Sequence, residues 1–149
     1  MRAVVQRVSR SKVPAGEIIV GEIGVGLLVL FGVTQADENK DADQLVDKIV
    51  NLRIFDDDEG KMNLSLLDVK GSLLIVSQFT LYGDTSRGRR PSFVKAAPGK
   101  DALAFYEYFV AKARTLVKIV ETGEFGAMMT VELVNDGPVT ILIDSDGQI

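Results

Sequence analysis

The nearly continuous apolar run between residues 25 and 33 constrains the fold of this chain more than any other feature of its sequence. The run is short and contains only aliphatic residues, glycines and one phenylalanine, a composition typical of a strand. From Asp41 onward the apolar period changes, because Leu45, Ile49 and Leu52 recur at helical spacing. The change of period predicts a strand followed by an amphipathic helix of about three to four turns.

Further strands are predicted on both sides of this pair. Their segments are β-branched or strongly apolar, and turns rich in glycine, proline or acidic residues separate them. The predicted strands are residues 2–8, 17–23, 25–33, 53–55, 62–64, 72–79, 118–122, 129–134 and 139–144. The acidic residues 56–59 with Gly60 are predicted to form the turn of a hairpin.

A second helix is predicted to begin around Pro98, a residue suited to a first helical turn. The buried stripe of this helix is predicted to contain Leu103, Tyr106, Val110, Ala113 and Val117. A strand-rich chain with two separate helices predicts an α+β fold. We expect one compact domain over residues 1–149, with mainly antiparallel, barrel-like sheets and two principal helices.

The chain contains no histidine and no cysteine, which limits the chemistry it can perform. Imidazole bases and thiolate nucleophiles are excluded, so any reaction relies on hydroxyls, amides, carboxylates, backbone groups or the substrate itself. Disulfides and thiolate metal sites are excluded too, and we expect neither a metal nor a cofactor. No stretch has the roughly 18 apolar residues of a membrane span, and we expect a cytoplasmic protein.

Charge is unevenly distributed along the chain. The net charge of −4 argues against a protein that coats nucleic acid with its whole surface. Within a short stretch bounded by glycines and prolines, which begins in the loop after the strand at residues 72–79, five cations nevertheless fall close together: Arg87, Arg89, Arg90, Lys95 and Lys100. Such a run is either a solvated surface or a local site for RNA.

Small polar residues end the apolar strand that begins at residue 72. Ser77, Gln78, Phe79 and Thr80 follow four aliphatic residues and precede the basic loop. Backbone N–H groups in a chain that leaves a strand are free to stabilise an oxyanion. The alternative is that the hydroxyls only cap the strand end by bonding local backbone.

A second polar segment, residues 135–140, separates two predicted strands, and a turn is its simplest interpretation. Pro138 has no N–H group, and Gly137 adopts dihedral angles closed to other residues. Carbonyl groups at this point can therefore face outward, where they would receive an ammonium group. The residue sequence alone leaves the isomer of the Gly137-Pro138 bond open.

Taken together, these segments resemble the D-aminoacyl-tRNA deacylase family, also called the D-tyrosyl-tRNA deacylase family. The resemblance covers nearly the whole chain. It includes the opening Met-Arg-Ala-Val-Val-Gln-Arg-Val at residues 1–8, Ser-Gln-Phe-Thr-Leu at 77–81, Arg-Pro-Ser-Phe at 90–93, Phe-Gly-Ala at 125–127 and Asn-Asp-Gly-Pro-Val-Thr at 135–140.

The resemblance implies a homodimer with active sites at the subunit interface, no membrane association, and aminoacyl-tRNA as substrate. Residues 77–80 would form the floor for the 3′-terminal aminoacyl-adenosine. The neighbouring subunit would present a cis Gly137-Pro138 bond, whose carbonyls hold the α-amino group and leave no room for an L side chain. Arg7 would support that loop, and Met129 would line the pocket wall.

The reaction implied is hydrolysis of the D-aminoacyl ester, with glycyl esters accepted as well. The N–H groups of Phe79 and Thr80 are expected to hold the oxyanion while water attacks. The base is either the tRNA 2′-hydroxyl, which we favour, or Thr80. The resemblance also gives Thr80 as the alternative nucleophile in place of water. Met128 stands where many relatives carry an acid.

The alternative function is a catalytically silent module of the same fold that binds aminoacyl groups or RNA.

Overall fold

The computed structural model describes residues 1–147. It contains eight strands, two α-helices and one short 3-10 helix within that range. In chain order the elements are β1 (Arg2–Ala15), β2 (Ile18–Ile23), β3 (Gly26–Gly32), α1 (Asn39–Asn51), β4 (Phe55–Asp56), β5 (Met62–Leu64), β6 (Ser72–Ser77), the 3-10 helix (Phe79–Tyr82), α2 (Gly99–Leu116), β7 (Val120–Thr122) and β8 (Glu132–Asp144).

The main sheet has the order β2-β1-β3-β6-β7, and β8 pairs with β1. The pairs of β1 with β2, β3 and β8 are antiparallel, whereas β3–β6 and β6–β7 are parallel. Gly21 of β2 lies directly against the backbone carbonyl of Thr122 in β7, so the two ends of the sheet nearly meet. The predicted α+β fold with a barrel-like, mainly antiparallel sheet and two helices is confirmed.

Strand β3 is apolar throughout because both of its faces are covered. Leu27, Val29 and Phe31 face the helices, and the ring of Phe31 stacks on Phe109 of α2 with centroids 4.1 Å apart. Leu28, on the opposite face, packs inside the barrel in a second apolar cluster. A two-sided core of this kind is the physical reason for the uninterrupted apolar run.

Helix α2 differs in one respect from its predicted packing. Tyr106, Val110 and Ala113 are buried, but Leu103 is exposed and Phe109 is buried in addition. The first turns of α2 border an open cavity through Gly99 and Ala102. Leu103 does not line this cavity and is exposed, so its prediction as a core residue was wrong.

Strand β8 corrects the prediction of two strands separated by a turn at residues 135–138. One strand runs from Glu132 to Asp144, and both of its halves pair with β1. Residues 136–139 have no partner in the β1 register, so they form a bulge within the strand. Because β1 is long enough to pair with both halves, tertiary pairing overrides the local turn preference.

The strand predicted at residues 72–79 ends at Ser77, where the 3-10 helix follows. Among the described residues, no helix is long and apolar enough to cross a membrane.

The approach of β3 to β6 yields a test of the fold. A methyl group at Gly26 would collide with the Ser72 backbone, whose nitrogen would lie 2.7 Å from it. We expect Gly26→Ala to lower the free energy of unfolding by about 1–3 kcal/mol or more, because backbone atoms cannot move aside cheaply. Gly24→Ala is the matched control, since nothing lies within 4 Å of the added atom. Urea denaturation of both variants measures the difference, and equal stabilities would contradict this packing.

Candidate active site

A cavity of about 750 Å³ opens where β3 and β6 end. The 3-10 helix borders it on one side and the first turns of α2 on another. Most of its lining is apolar, with Phe31, Val76, Tyr106 and Phe125 among the larger contributors. A site of this size accommodates a small molecule or the terminal unit of a polymer.

Residues 77–80 form the polar floor of the cavity, as predicted. Ser77 still pairs with Phe31 in the sheet, and the Gln78 N–H donates to the Phe31 carbonyl at 2.7 Å. Phe79 and Thr80 then begin the 3-10 helix, where N–H groups have no acceptor within the helix. Neither group has a hydrogen-bond acceptor elsewhere in residues 1–147, so both are available to an oxygen in the cavity.

The hydroxyl of Thr80 is already a hydrogen-bond acceptor. The Gln78 side-chain nitrogen, Nε2, donates to Thr80 Oγ1 at 2.5 Å. An amide donor cannot remove the hydroxyl proton, and activation of a nucleophile requires a group that can. This arrangement orients the Thr80 hydroxyl without activating it.

The walls of the cavity are held by their own contacts. Tyr106 donates its hydroxyl to the Ile75 carbonyl at 2.8 Å, and burial raises the pKa of Tyr106 to about 12. Tyr106 is therefore protonated near neutral pH and has a structural role.

Met129 lines the cavity as predicted, and its sulfur accepts the Glu124 N–H at 3.3 Å. Met128 lies at the rim with its side chain almost fully exposed.

Sequence reasoning missed the wall formed by the start of α2 and the segment before it. Ala96, Ala97, Gly99 and Ala102 line the cavity, together with Phe93. Their signal in the sequence was a cluster of small residues at a helix start, where side chains too short to fill space leave room for a ligand.

The second predicted segment forms the bulge of β8 and is exposed. The Gly137-Pro138 bond is cis, and Gly137 has a φ of 123°, which favours glycine. Asn135 closes the bulge from both sides. Its side-chain oxygen accepts the Val139 N–H at 3.0 Å, and its side-chain nitrogen donates to Thr140 Oγ1 at 3.0 Å.

Arg7 lies behind this bulge with its side chain almost fully buried. Its Nε donates to the Asp136 carbonyl at 3.1 Å, and its Nη1 donates to the Ile54 carbonyl at 2.8 Å. The carboxylates of Asp136 and Asp56 lie 3.6 and 3.5 Å from the guanidinium. Arg7 thereby ties the bulge to the segment that leads into β4.

Within one chain the two predicted segments do not meet. The cavity lies at the ends of β3 and β6, whereas the bulge lies on β8, and β1 separates β8 from β3. Arg7, Gly137 and Pro138 do not line the cavity, in contrast to residues 77–80 and Met129.

Comparison with known proteins adds an independent finding. A family model described as D-Tyr-tRNA(Tyr) deacylase matches residues 4–144. A D-aminoacyl-tRNA deacylase from Thermosipho melanesiensis is 62% identical over 97% of both chains. One from Clostridium kluyveri is 58% identical over 98% of both chains.

Solved structures agree with the fold. A chain described as "c-Myc DNA Unwinding Element Binding Protein" superposes with a TM-score of 0.92 at 41% identity, over 97% of this chain and 98% of that one. A probable eukaryotic D-amino acid tRNA deacylase superposes with a TM-score of 0.83 over 95% of this chain and 97% of that one. At 18% identity the second likeness concerns the fold alone.

Proposed function

The chain belongs to the D-Tyr-tRNA(Tyr) deacylase family, and from this premise we propose that it hydrolyses the ester bond of D-aminoacyl-tRNA. The products are a free D-amino acid and tRNA. The observation that carries the proposal is the cavity floor, where Phe79 and Thr80 line a space large enough for an aminoacyl-nucleoside and their N–H groups have no acceptor in residues 1–147. We assign residues 1–149 to one deacylase domain and place it in the cytoplasm, where translation uses aminoacyl-tRNA.

In the proposed reaction, a water oxygen bonds to the ester carbonyl carbon. The N–H groups of Phe79 and Thr80 stabilise the oxyanion that develops on the carbonyl oxygen. The bond to the ribose 3′ oxygen then breaks, and that oxygen leaves with a proton. The 2′-hydroxyl of the terminal ribose relays the proton, because Thr80 Oγ1 already accepts a hydrogen bond from Gln78 and has no base beside it in the described chain.

Selection of the D enantiomer is assigned to the bulge of a second subunit. Carbonyl groups of Gly137 and Pro138 would receive the substrate's ammonium group, and the same backbone would collide with an L side chain. This position requires a glycine, because a methyl group on Gly137 would be too close to its neighbours, at 2.8 Å from Val139 Cγ2 and 3.1 Å from Arg7 Nη2. Because the selecting wall consists of backbone atoms, it makes few contacts with the side chain of a D-amino acid. Many D-aminoacyl groups, and glycine, should therefore be accepted.

A homodimer would bring the bulge of one subunit to the cavity of the other. An apolar row supports this: Val76, Leu30, Val4 and Leu142 are successive cross-strand neighbours on β6, β3, β1 and β8. Neighbours of this kind share a face of the sheet. Val76 lines the cavity, and Leu142 at the other end is 54% exposed, so the row continues from the cavity to an uncovered edge.

The dimer can be disrupted on this row. We expect Leu142→Asp to give a monomer in sedimentation velocity and to lose at least about tenfold in turnover, because a charge in an apolar contact is costly. Leu116→Asp places the same charge on another exposed leucine, at the end of α2, and should stay dimeric. A fully active monomer would overturn the shared site.

The deacylase activity is tested with matched D-tyrosyl- and L-tyrosyl-tRNA in the presence of a chelator. We expect release of D-tyrosine while the L ester stays intact. Gly137→Ala should lower the D rate or the D-to-L ratio by about tenfold or more, because it displaces the selecting backbone. Gly16→Ala is its control, since Gly16 also has a positive φ but has open space around it. Equal cleavage of both esters contradicts the chiral site, and binding without turnover indicates a silent binding module.

Thr80→Ala tests the alternative nucleophile. We expect the variant to keep its turnover to within about tenfold, since the backbone N–H groups remain in place. Removal of a true nucleophile lowers kcat by up to about 10⁶-fold. Thr130→Ala, at an exposed threonine outside the cavity lining, controls for the substitution. Rapid-quench measurement of D-tyrosine release distinguishes the two outcomes.

A further inference from the structure

The segment of residues 84–100, which comprises the loop before α2 and the first two residues of that helix, is named here the basic arm. It contains five cations, Arg87, Arg89, Arg90, Lys95 and Lys100, against the single acid Asp84. All five are exposed. None of these five side chains has a carboxylate within 4 Å in residues 1–147. Six other Lys and Arg side chains, in contrast, form ion pairs at that distance.

The one acid of the arm is directed toward its own backbone. The Asp84 carboxylate accepts the Ser86 N–H at 2.9 Å, and hydrogen bonds from Ser86 hold the pKa of Asp84 below its usual value. This carboxylate stays ionised, but it is engaged in the loop. With five cations against this one carboxylate, the net charge of the arm is positive.

The arm is anchored at its base and borders the cavity through residues between its cations. Asp84 and Ser92 exchange two backbone hydrogen bonds of 2.8 and 2.9 Å, which close the loop containing the three arginines. Phe93 then packs edge-on against Phe79 of the cavity floor, with ring centroids 5.1 Å apart. Phe93 and Ala96 themselves line the cavity. The arm therefore forms part of the cavity border, next to any polymer whose end occupies the cavity.

From these observations we propose that the basic arm binds backbone phosphates at the acceptor end of the substrate tRNA. The inference rests on the proposed function, which puts the terminal aminoacyl-adenosine in the cavity. The cavity volume suits that unit alone, so the phosphates that precede it lie outside, at the rim. The chain as a whole carries −4 and repels a polyanion, and an exposed cluster of unpaired cations offsets this repulsion locally.

The arm is tested with the triple variant Arg87→Gln, Arg89→Gln, Arg90→Gln. Its control, Lys48→Gln, Arg114→Gln, Lys118→Gln, removes the same charge from exposed positions that do not line the cavity. Two substrates are compared, D-tyrosyl-tRNA and D-tyrosyl-adenosine, because the second has no phosphate. We expect the ratio of kcat/KM for the tRNA to that for the nucleoside ester to fall at least about tenfold in the arm variant and to stay constant in the control.

Binding of uncharged, fluorescently labelled tRNA between 50 and 200 mM salt gives a second readout that needs no catalysis. Loss of three phosphate contacts should reduce the slope of log K against log salt by about 2. A protein that hydrolyses neither ester contradicts the proposed function, while the salt slope still decides the role of the arm. Equal slopes and ratios in arm and control variants would overturn the arm proposal. An equal loss on both substrates would overturn it as well.

Discussion

The structure depends on the long antiparallel strand β1. Its first half is hydrogen-bonded to β3 on one edge and to β8 on the other, and its second half pairs with β2 and β8. Because backbone groups buried in a sheet must be paired, β1 determines where each of these strands lies. Its start is held as well: the buried Met1 ammonium donates to Asp37 and, at 2.6 Å, to Ser145. Arg7, in the middle of β1, then sets the position of the bulge in β8.

The parts assigned to chemistry are mostly backbone groups, and each is positioned by a nearby side chain. Gln78 orients the hydroxyl of Thr80, and Asn135 closes the bulge that carries Gly137. A backbone group has no pKa in the physiological range and no rotamer to change. A site built in this way needs neither histidine nor cysteine, and it suits discrimination by shape better than acid–base catalysis.

Much of the fold could be predicted from local patterns. The helix after residue 41, the hairpin around Gly60 and the apolar strand from residue 72 all appear near their predicted bounds, because their periodicity reflects burial on one or both faces. The errors occur where a distant element decides the outcome. Leu103 has helical spacing but is exposed in the folded chain, and residues 135–138 have turn chemistry but lie opposite a strand long enough to span them.

The sequence by itself determined the fold class, the absence of imidazole and thiol chemistry, and the two polar segments that resemble a deacylase family. It could do so because residue type, spacing and backbone freedom are local properties. Only the tertiary structure decided that Phe79 and Thr80 begin a helix with unpaired N–H groups, that small residues of α2 leave the cavity open, and that β1 separates the bulge from that cavity within one chain. These relations depend on long-range strand pairing, which brings together residues that no local pattern connects.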